Sequence, residues 1–263
     1  MNVGFIGAGN MGGALARAIS KDKQTKVYIY DHNEEKSASL ATETGAVKCE
    51  LSLLLSKCDF VFLGVKPNAV AKVCEEIRDR LKVGATVISM AAGVTLAQLD
   101  GFLLGKVPVI RIMPNTPVTY GFGMTAWCKN ALVTDVAADK FERIMAYTGA
   151  LDHIDEDKME AFTAVAGCGP AYAYMFLDAL AKAGENCGLD RGRALFYASK
   201  MLEGAAIMAD RSPLPPKTLC ENVCSPGGST IEGVKVLEAE GFDATVQKAI
   251  VAAFNRTKEL GKS

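Results

Sequence analysis

Two short stretches hold the residues most able to do chemistry. Gly7-Ala8-Gly9-Asn10-Met11-Gly12 has the spacing G-x-G-x-x-G. It follows the apolar run ending at Ile6 and opens a helical stretch, the context in which this pattern binds a dinucleotide. The first glycine allows a tight turn, the second lets a pyrophosphate reach the backbone, and the third lets helix and strand pack closely. The helix start then offers N–H groups and a positive dipole end to the phosphates. The second stretch is Ser225-Pro226-Gly227-Gly228-Ser229-Thr230, ahead of another expected helix. Its glycines and hydroxyls could hold a carboxylate on backbone N–H groups alone. The same residues would also suit an ordinary helix start capped by serine or threonine.

Around the first stretch, strand ends supply further candidates. Asp31 ends the second expected strand, where an acid accepts hydrogen bonds from ribose hydroxyls and repels a 2′-phosphate. With no arginine in 31–35, this favours NADH over NADPH; alternatively, Asp31 begins a turn or caps the next helix. Val65-Lys66-Pro67 ends the third strand, in the row of loops that lines a ligand crevice. Met90 and Ala92 end the next, where small residues let a nicotinamide sit close. Asn115 could bind the carboxamide or hold a turn. Gly167-Cys168-Gly169-Pro170-Ala171-Tyr172 is a further helix start whose small residues suit close packing.

What is missing narrows the chemistry. His32 and His153 are the only histidines, so a Ser-His-Asp arrangement and a zinc site are both unexpected. The cysteines form no C-x-x-C pair and read as reduced thiols in the cytoplasm. Lys+Arg of 29 against Asp+Glu of 30 asks for neither nucleic acid nor an anionic membrane. No apolar run is long enough to span a bilayer. A protonated imine is already electrophilic, so its reduction needs positioning and one hydrogen bond to nitrogen, which a hydroxyl such as Thr230 can give.

The elements that must position these residues follow from periodicity. Strands are expected over 3–6, 27–30, 59–65, 86–90, 107–113, 124–128 and 150–154. Helices are expected over 11–20, 34–44, 68–81, 96–103 and 136–147. The alternation predicts a doubly wound, mostly parallel α/β sheet of Rossmann type. Beyond about 155 the strand signal ends, and helices are expected over 170–186, 190–209, 230–240 and 243–260. The expected organisation is a dinucleotide-binding domain over 1–154 and a helical substrate-binding and dimerisation domain over 155–263. The helix over 190–209 is apolar nearly all round and is expected to be buried on most sides, between subunits for instance.

These motifs together resemble pyrroline-5-carboxylate reductase along essentially the whole chain. The matching segments are Gly4 to Met11, Phe62 to Pro67, Ala91 to Thr95, Arg111 to Pro117, Gly167 to Tyr172, and Asn222 to Thr230 with Leu237-Glu238. The Ser-Pro-Gly-Gly-Ser-Thr segment is the most family-specific. The resemblance implies NAD(P)H-dependent reduction of 1-pyrroline-5-carboxylate to L-proline, the last step of proline biosynthesis. It implies a homodimer, in several members assembled further into decamers. It also implies that the backbone at Gly228, Ser229 and Thr230 holds the substrate carboxylate, with the Thr230 hydroxyl on the ring nitrogen. Glu156 matches an acid near the substrate; Asn222, Lys66 and Val65 match cofactor contacts. Two departures, Asp31 itself and Leu51 where many members have asparagine, point to NADH or dual use. A β-hydroxyacid dehydrogenase of similar build would need a lysine within 171–177, and there is none. A non-catalytic nucleotide sensor would have no use for 225–230 as an anion site.

Overall fold

Short runs of apolar and β-branched residues, separated by amphipathic stretches, form the sheet of the first half. The computed structural model describes residues 1–260. Its strands are β1 (Asn2–Ile6), β2 (Lys26–Tyr30), β3 (Val47–Lys48), β4 (Phe60–Leu63), β5 (Thr86–Ser89), β6 (Val109–Pro114), β7 (Gly123–Lys129) and β8 (Gly149–His153). They make one sheet in the order β3-β2-β1-β4-β5-β6-β7-β8. Every pairing is parallel except β6 with β7. Those two are joined through a single 3₁₀ turn, Thr116–Tyr120. That is too short for the crossover that a parallel pair requires.

Helices α1 (Asn10–Ile19), α2 (Glu34–Thr44), α3 (Leu51–Lys57), α4 (Val70–Ile77), α5 (Leu96–Phe102) and α6 (Asp135–Met145) cover the sheet. On one face Phe5 and Phe62 stack with ring centroids 4.7 Å apart, under apolar residues of α1, α2 and α6. On the other, Val61 and Leu63 pack against α3, α4 and α5. Coverage of both faces explains why β4 is buried at every position and reads as an unbroken apolar run. The expected strands and helices of this half are present, with ends shifted slightly. Two elements were not expected. β3 has only two residues, too few to show a period. The seven-residue α3 buries Leu51, Leu54 and Leu55, a helical spacing within a run short enough to pass as loop.

From Glu156 the chain is helical. A 3₁₀ turn (Glu156–Lys158), α7 (Met159–Phe162) and one π turn (Thr163–Gly167) lead into α8 (Gly169–Asn186). α9 (Arg191–Arg211), α10 (Pro216–Asn222), α11 (Ser229–Ala239) and α12 (Phe242–Leu260) follow. The change from strand to helix falls where expected, but the division into compact units does not. One unit runs from Met1 to Pro170 and resumes at Ala253; the other is Ala171–Ala252. The first unit extends past the last strand because Met159 packs beneath the sheet with Met113, Ala126 and Cys128.

Within the second unit, Gly184 lets α8 and α9 approach closely: a Cβ there would lie 2.8 Å from Ala194 Cβ. α9 buries only Ala194 and Ala198 within one chain. Phe196, Tyr197 and Met208 stay exposed, so the burial expected for this helix is not supplied by its own chain. Among the described residues no helix is long and apolar enough to cross a membrane.

Candidate active site

The order of strands places a switch point between β1 and β4, where successive connections run to opposite sides of the sheet. Ligands of open α/β sheets bind at the carboxyl ends of strands at such a point. The glycine-rich turn lies there. Gly7 has φ +104°, which disfavours any side chain, and an added Cβ would sit 2.6 Å from the Gly64 carbonyl oxygen. A Cβ on Gly12 would meet the Gly7 carbonyl oxygen at 2.5 Å. Gly64, at the end of β4, thus completes a three-glycine contact whose other members are Gly7 and Gly12. Sequence reading singled out Gly7 and Gly12 but missed Gly64, although a glycine closing an apolar strand was a usable signal.

Gly9 differs. Its φ of −69° suits any residue, and a Cβ would meet nothing closer than 3.8 Å. The protein itself therefore does not require glycine there; the free space fits a close-approaching pyrophosphate. Gly9 is also the N-cap of α1, and no side chain caps that helix. By contrast α2, α5, α6 and α9 are capped by Asn33, Thr95, Thr134 and Asp190. Ala8, Asn10 and Met11 complete the exposed or half-buried rim of the turn, over the buried Ile6.

Asp31 is tied into the same turn. Its Oδ2 accepts a hydrogen bond from Ala8 N at 2.6 Å, and its Oδ1 accepts one from Asn33 N at 2.8 Å. The carboxylate thus fixes both the phosphate-binding turn and the turn into α2, while Asn33, not Asp31, caps that helix. A cavity of about 230 Å³ beside it is lined by Gly7, Tyr30, Asp31, His32, Leu51, Val65 and Lys72, among others. Lys72, on α4, is a cation near Asp31 that sequence reading did not consider. A larger cavity of about 680 Å³ brings Lys66 and Pro67 together with Ala92, Gly93 and Val94 at the ends of β4 and β5. Lys66 is exposed and makes no ion pair with a described residue. Met90 is half-buried against the main core.

In the second unit, Gly228 N donates to Ser225 O at 3.0 Å, and Gly227 has φ +72°. Proline then glycine at the two central positions is the type II turn pattern. Gly228 is the N-cap of α11 and no side chain caps it. The hydroxyls of Ser225, Ser229 and Thr230 form no hydrogen bond with any described residue, and Ser229 and Thr230 are exposed. The capped-start reading of this segment therefore fails, and its N–H groups are open to an anion. Asn222 is the exposed last residue of α10.

Glu156 and Asn115 prove to be structurally engaged. Glu156 Oε1 accepts from Arg111 Nη1 at 2.8 Å and from Leu96 N at 2.7 Å. Arg111 Nη2 also donates to Glu160 Oε1 at 3.2 Å. Sequence reading left Arg111 without a role, although one arginine inside an apolar strand signals a buried charge needing acids. Asn115 is buried; its Nδ2 donates to Ala166 O at 3.0 Å and its Oδ1 accepts from Met124 N at 2.9 Å. Of the two roles open to Asn115, holding backbone is the one the geometry displays.

Residues 156–260 match the family model described as pyrroline-5-carboxylate reductase dimerisation. Residues 2–93 match the model described as NADP oxidoreductase, coenzyme F420-dependent. The pyrroline-5-carboxylate reductase of Escherichia coli is 36% identical over 99% of this chain and 98% of its own length. The chain belongs to the pyrroline-5-carboxylate reductase family. Human pyrroline-5-carboxylate reductase 2 is 37% identical over 99% of this chain and 84% of its own. The crystal structure of Plasmodium falciparum pyrroline carboxylate reductase with NADP bound superposes with a TM-score of 0.90 at 30% identity, covering 99% of this chain and 98% of that one. Membership in this reductase family agrees with the fold expected from the sequence: a Rossmann-type sheet followed by helices.

Proposed function

We propose that this chain reduces 1-pyrroline-5-carboxylate to L-proline with a nicotinamide dinucleotide as hydride donor. The observation that carries the reading is the start of α11, a glycine-opened helix without a side-chain cap, bearing an unpaired Thr230 hydroxyl. In this reading the substrate carboxylate lies against the backbone of Gly227, Gly228, Ser229 and Thr230, with Ser225 beside it. The Thr230 hydroxyl bonds the ring nitrogen, and Glu156 is the acid next to the substrate.

The ring nitrogen takes its proton before reduction, which makes the C=N carbon electrophilic. A dinucleotide held at the glycine-rich turn would supply the hydride. As the new C–H bond forms, the C=N π pair moves to nitrogen and leaves a neutral secondary amine. The chain's task is to orient and desolvate two ligands; no strong acid is needed. A site of hydroxyls and N–H groups suits that task.

Ile6, Gly7, Ala8, Gly9, Asn10, Met11 and Gly12 would hold the pyrophosphate, as the space at Gly9 permits. Asp31 would meet the adenosine ribose. Val65, Lys66, Pro67, Met90 and Ala92 would line the path to the nicotinamide, with Asn222 a further contact. Asp31 favours NADH or dual use, because an anion already fixed beside the ribose repels a 2′-phosphate; Lys72 on the same cavity offsets part of that repulsion. Steady-state kinetics with pyrroline-5-carboxylate and each cofactor tests both points. No turnover with either would refute the function, and a strong NADPH preference would refute the role given to Asp31.

The exposed apolar residues of α9 support a homodimer, or a larger homo-oligomer built from dimers, such as a decamer of five dimers. Sedimentation analysis distinguishes these. All eight cysteines are free thiols, which fits a reducing compartment such as the cytoplasm.

A further inference from the structure

Arg111 is the largest fully buried side chain among the described residues, with 1% of its surface exposed. A guanidinium so placed is tolerated only if its donors are matched by acceptors. It lies on β6 opposite Cys128 of β7, above the small core formed by Met113, Ala126 and Met159. Glu156 and Glu160 are four residues apart and face it together, taking Nη1 and Nη2. Its Nε is buried with no partner. The Glu156 oxygen that binds Arg111 also accepts from Leu96 N, at the start of α5 and close to the cavity wall formed by Ala92, Gly93 and Val94. Arg111 therefore joins β6 to the chain entering α7, and Glu156 carries the link on to the start of α5. Asn115, just past the end of β6, holds the π turn of the same segment at Ala166.

We propose that Arg111 is a positioning residue for imine reduction: it fixes the Glu156 carboxylate and the 156–167 segment at the edge of the active site. The proposal rests on the reading of Glu156 as the acid beside the substrate. Both bonds to Glu156 fall on Oε1, and its side chain keeps 31% of its surface exposed. Arg111 thus orients this carboxylate and leaves its second oxygen available. Without the guanidinium, Glu156 and Glu160 would face one another unneutralised and move apart.

The test uses the full-length enzyme with Arg111→Lys, Glu156→Gln and the double variant, each first checked for folding by circular dichroism. Arg111→Lys keeps the charge but loses the fork that holds two acids at once. It should lower kcat/KM for pyrroline-5-carboxylate by roughly fivefold or more while the cofactor KM stays within about twofold. Because Arg111 acts through Glu156, the double variant should fall no more than about twofold below Glu156→Gln alone. Multiplicative losses, or equal losses for imine and cofactor, would overturn the proposal. If Arg111→Lys does not fold, Glu160→Ala releases Nη2 alone and should raise the imine KM about threefold with cofactor KM unchanged. Wild-type imine kinetics in that variant would equally overturn it. A wild-type enzyme inactive on the imine would refute the underlying function, an outcome distinct from an active enzyme whose variants show no coupling.

Discussion

Gly9→Ala should separate cofactor binding from folding. The backbone at Gly9 has φ −69°, ordinary for alanine, and the nearest atom to the new methyl would be the Gly64 carbonyl oxygen at 3.8 Å. The fold accommodates this. Restriction of the unfolded chain, worth ~0.4–1 kcal/mol, is offset by the poorer N-cap that alanine makes at the start of α1. Tm should therefore stay within about 4 °C of wild type. The same methyl occupies the approach of a pyrophosphate to the uncapped N–H groups of α1. Losing one hydrogen bond to a charged group costs ~1.5–3 kcal/mol. The cofactor KM should therefore rise roughly tenfold to a hundredfold. Gly12→Ala is the contrasting case, because its Cβ would lie 2.5 Å from the Gly7 carbonyl oxygen. Such overpacking costs ~1–3 kcal/mol, so this variant should lose about 2–12 °C in Tm as well as cofactor affinity. Thermal unfolding and cofactor KM at saturating imine measure both quantities. A Gly9→Ala enzyme with wild-type cofactor KM would show that no phosphate approaches the turn at Gly9, and the dinucleotide assignment of this segment would fall.

Thr230→Ala should lower imine turnover by at least about tenfold, since it removes the hydroxyl assigned to the ring nitrogen; unchanged turnover would place that hydrogen bond elsewhere. Asp31→Ser should raise the ratio of NADPH to NADH efficiency, while loss of the bonds from Ala8 N and Asn33 N lowers Tm. A lower Tm with an unchanged ratio would confine Asp31 to the turn. Burial pushes the thiols of Cys58, Cys74 and Cys128 up to about 12. They should resist alkylation at pH 8 in the native enzyme and label only on unfolding, because the thiolate is the reactive form. Mass spectrometry of the alkylated native protein checks this, and labelling of any of the three would contradict the burial described.

Element types were legible in the sequence because helix and strand impose periods on neighbouring residues. The glycine spacing at Gly7–Gly12 and the glycine-rich helix start at residues 225–230 are equally local. Elements too short to show a period, such as β3 and the seven-residue α3, were not legible. Neither was the reach of the first compact unit to Pro170, which depends on Met159 finding the sheet. The roles of polar side chains depended most on tertiary structure. Asp31 offered a ribose contact, a turn or a cap, and only folding joined it to Ala8. Arg111 stands in a family-like segment, but its partners Glu156 and Glu160 reach it only across the fold. A sequence displays the period of its own backbone, but a buried charge is matched by whichever residue the packed chain brings to it, and no local pattern records that partner.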